Sequence, residues 1–194
     1  MMRRMHAHDL LDAIRRHPGR RRILILGASY GSLLGSKLLM AGHDVTLVCT
    51  ASTAALIERS GTRVRFPVKG GEPPLELDSR ELPGTLSACA PERANPAAYD
   101  LVVLGMQEAQ YGAPGVRELM GRVARSRRPC LAIMNMPPLP YLQRIPGLDT
   151  GPLEPCYADP RVWAGFDPSL VTLASPDPQA FRPADQPKIF SRTL

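Results

Sequence analysis

Short runs of apolar residues alternate along this chain with segments in which apolar residues recur every three or four positions. The run at 23–26 is entirely aliphatic, and the runs at 44–49 and 100–104 are rich in Val and Leu. Such runs are typical of parallel strands that are buried on both faces. Between the first two runs, the leucines of 32–41 have helical spacing. This order of strand, glycine turn, helix and strand is that of a βαβ unit.

The rest of the chain continues the alternation of strands and helices. Further elements are predicted as helices at 53–60 and 115–125, and as strands at 63–68, 75–77, 129–134 and 170–174. Residues 82–98 have only a weak pattern and are predicted to be a connection. Strands that alternate with helices indicate an α/β fold. We therefore predict a Rossmann-like, doubly wound parallel sheet.

Charge and proline content divide the chain into three parts. The net charge is +6, and the first 22 residues contribute +5 of it through seven arginines and two aspartates. We interpret 1–22 as a basic leader and 23–175 as the Rossmann-like domain. Four prolines follow residue 175, so we expect 176–194 to be an extended tail, or a linker to a second domain that this sequence lacks. Because the body is nearly neutral, we expect no nucleic-acid partner.

Composition also bears on the compartment. No run of apolar residues approaches the roughly 18 that a membrane span requires, so we expect no membrane partner. The four cysteines form no C-x-x-C pair, which favours reduced structural thiols in a cytoplasmic protein and predicts no metal site. We expect a small-molecule substrate, and the sequence leaves open whether the protein forms a homo-oligomer.

The most informative segment is 23–35, with the sequence ILILGASYGSLLG. A tight turn from strand to helix requires a residue without Cβ, which Gly27 supplies. Main-chain N–H groups at the start of the following helix can hold the pyrophosphate of a dinucleotide. Gly31 and Gly35 would let that helix pack closely on the strand.

This turn departs from the G-x-G-x-x-G pattern of dinucleotide-binding proteins. Its middle glycine is absent and it is one residue short, so Ala28 or Ser29 would lie where the phosphates approach. The predicted cradle of the pyrophosphate is Gly27, Ala28, Ser29, Tyr30 and Gly31. A glycine turn without any ligand is the alternative.

The end of the second predicted strand should select the ribose of the dinucleotide. An acid there binds the 2′-hydroxyl of NAD, but none follows 44–49 directly. Its absence favours NADP, with Thr50 and Ser52 bonding the 2′-phosphate and Arg59 reaching it. The alternative is that these are ordinary turn and capping residues, with Ser52 or Thr53 as the cap of the next helix.

Two motifs resemble one enzyme family. The segments 31–35 (GSLLG) and 41–48 (AGHDVTLV) resemble the N-terminal nucleotide-binding domain of the ketopantoate reductase family. A weaker likeness extends through 100–135. The resemblance implies an N-terminal Rossmann domain, NADPH as cofactor and hydride transfer to a 2-keto acid, with a helical C-terminal domain.

The resemblance also implies roles for three polar residues. The family pattern D-L-V-x-V-x-x-K-x-x-Q meets 100–110, where Gln110 is retained and Gln107 replaces the lysine. These two residues would lie at the cofactor. Asn135 matches the Asn of the family's N-G and would lie near the nicotinamide, or else it is a polar residue that begins a loop.

The catalytic groups of the family are missing. Its catalytic lysine and a substrate-binding carboxylate lie on the second domain, and Lys188 is the only lysine after residue 135. The sequence therefore identifies no catalytic residue. We predict the cofactor half of an NADP-dependent oxidoreductase related to ketopantoate reductase. The alternatives are a non-catalytic dinucleotide-binding or scaffold module and, less favoured, a methyltransferase-like fold.

Overall fold

The computed structural model of the protein describes residues 19–66 and 74–174, and the backbone of 180–181 and 191–192. In chain order the elements are β1 (Arg22–Leu26), α1 (Ser29–Met40), β2 (Asp44–Val48), α2 (Ala51–Ser60), β3 (Arg63–Phe66), β4 (Leu75–Asp78), β5 (Leu86–Cys89), β6 (Leu101–Leu104), α3 (Val116–Ser126), β7 (Cys130–Ala132), α4 (Leu139–Leu142), β8 (Val171–Leu173), β9 (Ala180–Phe181) and β10 (Ser191–Arg192). Short 3₁₀ turns connect several of them.

Six of the strands form one parallel sheet, in the order β5-β2-β1-β6-β7-β8. Numbered along the chain within the sheet, this order is 3-2-1-4-5-6, that of the doubly wound Rossmann fold. The predicted fold class is confirmed. Strands β3 and β4 form a separate antiparallel pair, as do β9 and β10.

Alternate residues of the central strands point to opposite faces of the sheet, and each face has its own core. Leu24 and Leu26 of β1 pack with Leu119 of α3 on one face. Ile23 and Ile25 belong to the cluster on the other face, next to α1 and α2. Because both faces are covered, the residues of the central strands are mostly apolar, which is why the sequence pattern identified them.

Several predicted boundaries differ from the structure. The prediction of a connection at 82–98 is wrong, because that segment contains β5, an edge strand paired with β2. Helix α1 begins three residues earlier than predicted, and α2 begins two residues earlier. The strand predicted at 63–68 is described only as far as Phe66.

The outer parts of the predicted organisation lie mostly outside the described residues. Of the leader, only 19–22 are described, and β1 begins at the last of these. Of the tail, only the backbone of β9 and β10 is described. No helix in the described part of the chain is long and apolar enough to cross a membrane.

Candidate functional site

A cleft of about 910 Å³ opens at the carboxyl ends of the central strands. The chain leaves β1 toward one side of the sheet and β6 toward the other, so a crevice forms where the strand order reverses. Ligands of doubly wound proteins bind at this point. The volume is in the range of small-molecule sites, roughly 300–1,000 Å³.

Gly27 forms the floor of the cleft directly after β1. Its φ is +104°, a conformation that favours glycine. Its N–H donates to the carbonyl oxygen of Val48 (2.9 Å), and a Cβ at this position would lie 2.8 Å from the carbonyl oxygen of Gly105. The backbone therefore turns within one residue, which is why α1 begins as early as Ser29.

The first turn of α1 faces the cleft with unpaired N–H groups. The first helical hydrogen bond runs from the N–H of Ser32 to the carbonyl oxygen of Ala28 (2.9 Å). No side chain caps the helix at Ala28, and its first turn contains no acid. The N–H groups of Ser29, Tyr30 and Gly31 consequently have no partner within the helix. Such an end accepts an anion.

Two glycines of α1 face the sheet rather than the cleft. Gly31 is buried, and a Cβ there would lie 2.8 Å from Cγ2 of Ile25 on β1. A Cβ on Gly35 would lie 3.5 Å from Cγ1 of Val45, an ordinary contact. Gly31 thus allows α1 to approach β1 closely, as the sequence predicts, and its side-chain position does not line the cleft.

The loop after β2 is organised by one hydroxyl. Oγ1 of Thr50 accepts a hydrogen bond from the N–H of Thr53 (3.3 Å) and caps α2. The prediction of Ser52 or Thr53 as the cap is therefore wrong, because both lie inside the helix. Thr50 lines the cleft, whereas Ser52 is exposed outside it. Arg59 lies in the last turn of α2, about 13 Å from Thr50 along the helix axis.

The loop after β6 is fixed by two hydrogen bonds to its own side chains. The N–H of Gln107 donates to Oε1 of Gln110 (2.8 Å), and the N–H of Met106 donates to Oη of Tyr111 (3.1 Å). Tyr111 is fully buried and packs on Trp163, with ring centroids 5.4 Å apart. Both glutamines line the cleft, and Gln110 also has this local structural role.

The cleft brings together most of the residues predicted from the sequence. These are Gly27, Ala28, Ser29, Tyr30, Thr50, Gln107 and Gln110. Gly31, Ser52 and Asn135 are not among its lining residues. Asn135 follows the end of β7 by three residues and is exposed.

One acidic residue of the cleft, Glu92, was not predicted from the sequence. It lies in the 3₁₀ turn Pro91–Arg93 that follows β5, and its carboxylate packs against Gly115, the residue that precedes α3. Because 82–98 was predicted to be a connection, no site residue was expected there. The feature that would have identified Glu92 is the parallel pairing of β5 with β2, which places the carboxyl ends of both strands at the same edge of the sheet.

The cleft is poor in charge. Among the described residues that line it, Glu92 is the only one with a charged side chain, and none is Lys, Arg or His. Burial raises the pKa of the Cys49 thiol, which also lines the cleft and is therefore neutral near pH 7. An anion in this cleft would thus be held by main-chain N–H groups rather than by basic side chains.

Comparison with known proteins supports the fold assignment. No protein-family model matches the chain, and no curated protein matches it. A solved structure from Ralstonia solanacearum MolK2, provisionally assigned as a ketopantoate reductase, is similar with a TM-score of 0.54 and 16% identity, over 91% of this chain and 50% of that one. A second, from Enterococcus faecalis and provisionally assigned as a 2-dehydropantoate 2-reductase, has a TM-score of 0.41 and 21% identity over 59% and 34% of the two chains. The chain spans half the length of the first protein.

Proposed function

We propose that this chain is the nucleotide-binding domain of an oxidoreductase related to ketopantoate reductase. The observation that carries the proposal is the uncapped start of α1, which opens into the cleft between β1 and β6. The two motifs at 31–35 and 41–48 and the fold of the Ralstonia protein support the choice of family.

The residues present fit the pyrophosphate of a nicotinamide dinucleotide. The N–H groups of Ser29, Tyr30 and Gly31 would hold its oxygens, and Gly27 itself adds no side chain to the floor of the cleft. When bound, the cofactor would supply the hydride that reduces the carbonyl carbon of a 2-keto acid or a similar substrate. Gln107 would lie beside it in the cleft, and the role of Asn135 near the nicotinamide rests on the resemblance alone.

The residues present do not fit the 2′-phosphate of NADP, the form that the resemblance implies. Thr50 uses its hydroxyl to cap α2, Ser52 lies outside the cleft, and Arg59 lies at the far end of α2. No basic side chain among the described residues lines the cleft. The proposed cofactor is therefore stated as a nicotinamide dinucleotide.

A second candidate is a dinucleotide-binding module without turnover. Hydride transfer to a carbonyl requires an acid that protonates the developing alkoxide. Gln107 stands where the family has a lysine, and no Lys or His lines the cleft within the described ranges. Mixing the protein with NADH or NADPH and 2-keto acids separates the two candidates, because only the enzyme oxidises the cofactor.

Calorimetric titration with NADH, NADPH and S-adenosylmethionine tests the site itself. We expect saturable binding of a nicotinamide dinucleotide and none of S-adenosylmethionine. The variant Ala28→Asp adds a negative charge at the start of α1, which stabilises the helix but repels the pyrophosphate, so we expect affinity to fall at least tenfold. Ala28→Asn, of the same size without the charge, is the control. The proposal would be contradicted if Ala28→Asp kept its affinity for the dinucleotide, or if the unmodified protein bound neither NADH nor NADPH.

A further inference from the structure

We infer that the cleft selects a dinucleotide without a 2′-phosphate, NAD(H) rather than NADP(H), and that Glu92 is the residue that makes this selection. The inference rests on the proposed function and corrects the cofactor that the family resemblance implies. It is carried by the charge of the cleft and by the position of one acidic side chain.

The charge of the described cleft residues disfavours a 2′-phosphate. A phosphate monoester carries about −1.5 to −2 at neutral pH, and proteins bind it with Arg or Lys side chains that neutralise it. The described residues that line this cleft contribute one carboxylate and no cation. The pyrophosphate already places negative charge at the start of α1. A second phosphate would therefore enter a cleft in which no described residue supplies a positive charge to neutralise it.

The hydroxyls of the loop after β2 are engaged within that loop. Oγ1 of Thr50 donates to Oγ1 of Thr53 (2.9 Å) and accepts from the N–H of the same residue (3.3 Å). Ser52 directs its hydroxyl to Thr50, with 3.2 Å between the two oxygens. These hydroxyls bond one another and the helix start, so they do not replace the missing cation.

Glu92 lies at the end of the cleft where β2 and β5 both end. Rossmann proteins that bind NAD carry an acid at the end of the second strand, which accepts a hydrogen bond from the ribose 2′-hydroxyl. Here Val48 ends that strand, and its partner in the parallel ladder is Cys89 at the end of β5. Glu92 follows Cys89 and enters the same end of the cleft. A carboxylate there accepts a bond from a hydroxyl and repels a phosphate.

The turn that carries Glu92 is held by contacts with α3 and with the residue that precedes α3. Nη2 of Arg122 on α3 donates to the carbonyl oxygen of Pro91 at 2.5 Å. The Glu92 carboxylate packs against Gly115, where a Cβ would collide with Oε1. The N-terminal end of α3 lies at this contact, and a helix start favours a negative charge. The turn and its carboxylate are thus positioned by contacts within the protein itself.

Paired titrations test the inference. Dissociation constants for NADH and NADPH are measured by calorimetry on the full chain, on Glu92→Gln and on Glu118→Gln. Glu118 is exposed in the first turn of α3 and does not line the cleft, so its variant removes the same charge elsewhere. We expect the full chain to bind NADH at least tenfold more tightly than NADPH. Glu92→Gln should narrow that ratio at least threefold, and Glu118→Gln should leave it unchanged.

The outcomes separate the inference from the proposed function. If NADPH binds as tightly as NADH or more tightly, or if Glu92→Gln leaves the ratio unchanged, the inference is wrong while the dinucleotide site stands. If neither dinucleotide binds, the proposed function fails and the inference fails with it. Thermal unfolding of each variant verifies that the measured ratios belong to folded protein.

Discussion

The carbonyl oxygen of Gly105 lies 2.8 Å from the position that a Cβ on Gly27 would occupy. The two glycines directly follow β1 and β6, the neighbouring strands from which the chain departs to opposite sides of the sheet. The N–H of Gly105 also donates to the carbonyl oxygen of Leu26 (2.9 Å). The floor of the cleft is thus mainly backbone packed against backbone, and the nearest side-chain atom is Cγ of Met106, 3.0 Å from the same Cβ position.

Gly27→Ala should destabilise the protein. The new Cβ would meet a main-chain oxygen that cannot move aside, and the φ of +104° is strained for alanine. We expect a loss of about 1–3 kcal/mol in the free energy of unfolding, measured by urea denaturation. Gly121→Ala on α3 is the control, because its nearest neighbour is a terminal nitrogen of Arg125 at 3.4 Å. An equal effect in both variants would contradict this account.

Two glycines of the same helix should respond in opposite directions to alanine. In Gly31→Ala the Cβ would overlap Cγ2 of Ile25 at 2.8 Å and push α1 away from β1. We expect a loss of about 1–3 kcal/mol by overpacking, together with weaker dinucleotide binding. Gly35→Ala makes only ordinary contacts, from 3.5 Å, and should gain about 0.5–1 kcal/mol because alanine favours a helix. Urea denaturation of both variants measures the two changes in the free energy of unfolding. If Gly35→Ala destabilised the protein and Gly31→Ala did not, the prediction would be wrong.

Tyr111→Phe should loosen the loop that forms one wall of the cleft. The substitution removes the hydroxyl that accepts the N–H of Met106 and leaves the buried ring in place. We expect a loss of about 1–2 kcal/mol and weaker dinucleotide binding, measured by denaturation and calorimetry. Tyr30 is half exposed, so Tyr30→Phe should change stability by less than about 0.5 kcal/mol. If Tyr111→Phe changes stability as little as Tyr30→Phe does, the hydrogen bond from Met106 to Tyr111 does not hold the loop.

The buried thiol of Cys130 should make stability fall at alkaline pH. Burial raises its pKa to about 12, whereas a thiol in the unfolded chain titrates near pH 8.5. The unfolded state therefore loses this proton first, and the contribution is complete below about pH 8.5 and declines as the pH rises toward 12. Between about pH 8 and about pH 10 the thiol should account for a loss of about 2 kcal/mol.

The variant Cys130→Ala isolates that contribution. It should be less stable throughout because a buried side chain is truncated, but its stability should fall less steeply with pH. Denaturation of both proteins at the two pH values gives the comparison. Parallel pH profiles would show that Cys130 does not cause the decline.

The sequence was sufficient to predict the centre of the fold. Strands β1, β2 and β6 lie in the middle of a sheet covered on both faces, so their residues are nearly all apolar and easily identified. Strand β5 was missed because it is an edge strand of half-buried residues. Its position depends on main-chain pairing with β2 and on the hydrogen bond between Oγ of Ser87 and Oγ1 of Thr46 (2.7 Å), neither of which produces an apolar pattern.

In the candidate site, too, features that depend on local sequence were predicted and features that depend on long-range pairing were not. The glycine turn and the start of α1 are local in sequence, and most of their predicted residues line the cleft. Glu92 is brought there by a strand that was not predicted, from more than forty positions beyond β2. The role of Thr50 as a cap also depended on where α2 begins, which helical spacing alone does not fix. Local motifs were therefore predictable, whereas the charge of the cleft required the strand order.

The central claim is that main-chain N–H groups at the start of α1 hold the pyrophosphate of a dinucleotide. The most direct measurement follows the amide resonances of Ser29, Tyr30 and Gly31 in ¹H–¹⁵N spectra of the full chain during titration with NADH. The account predicts saturable shifts at these amides that give one dissociation constant, with smaller shifts at Gly105 and Gln107 across the cleft. Unchanged resonances at Ser29, Tyr30 and Gly31 at saturating NADH, or shifts confined to another surface, would contradict it.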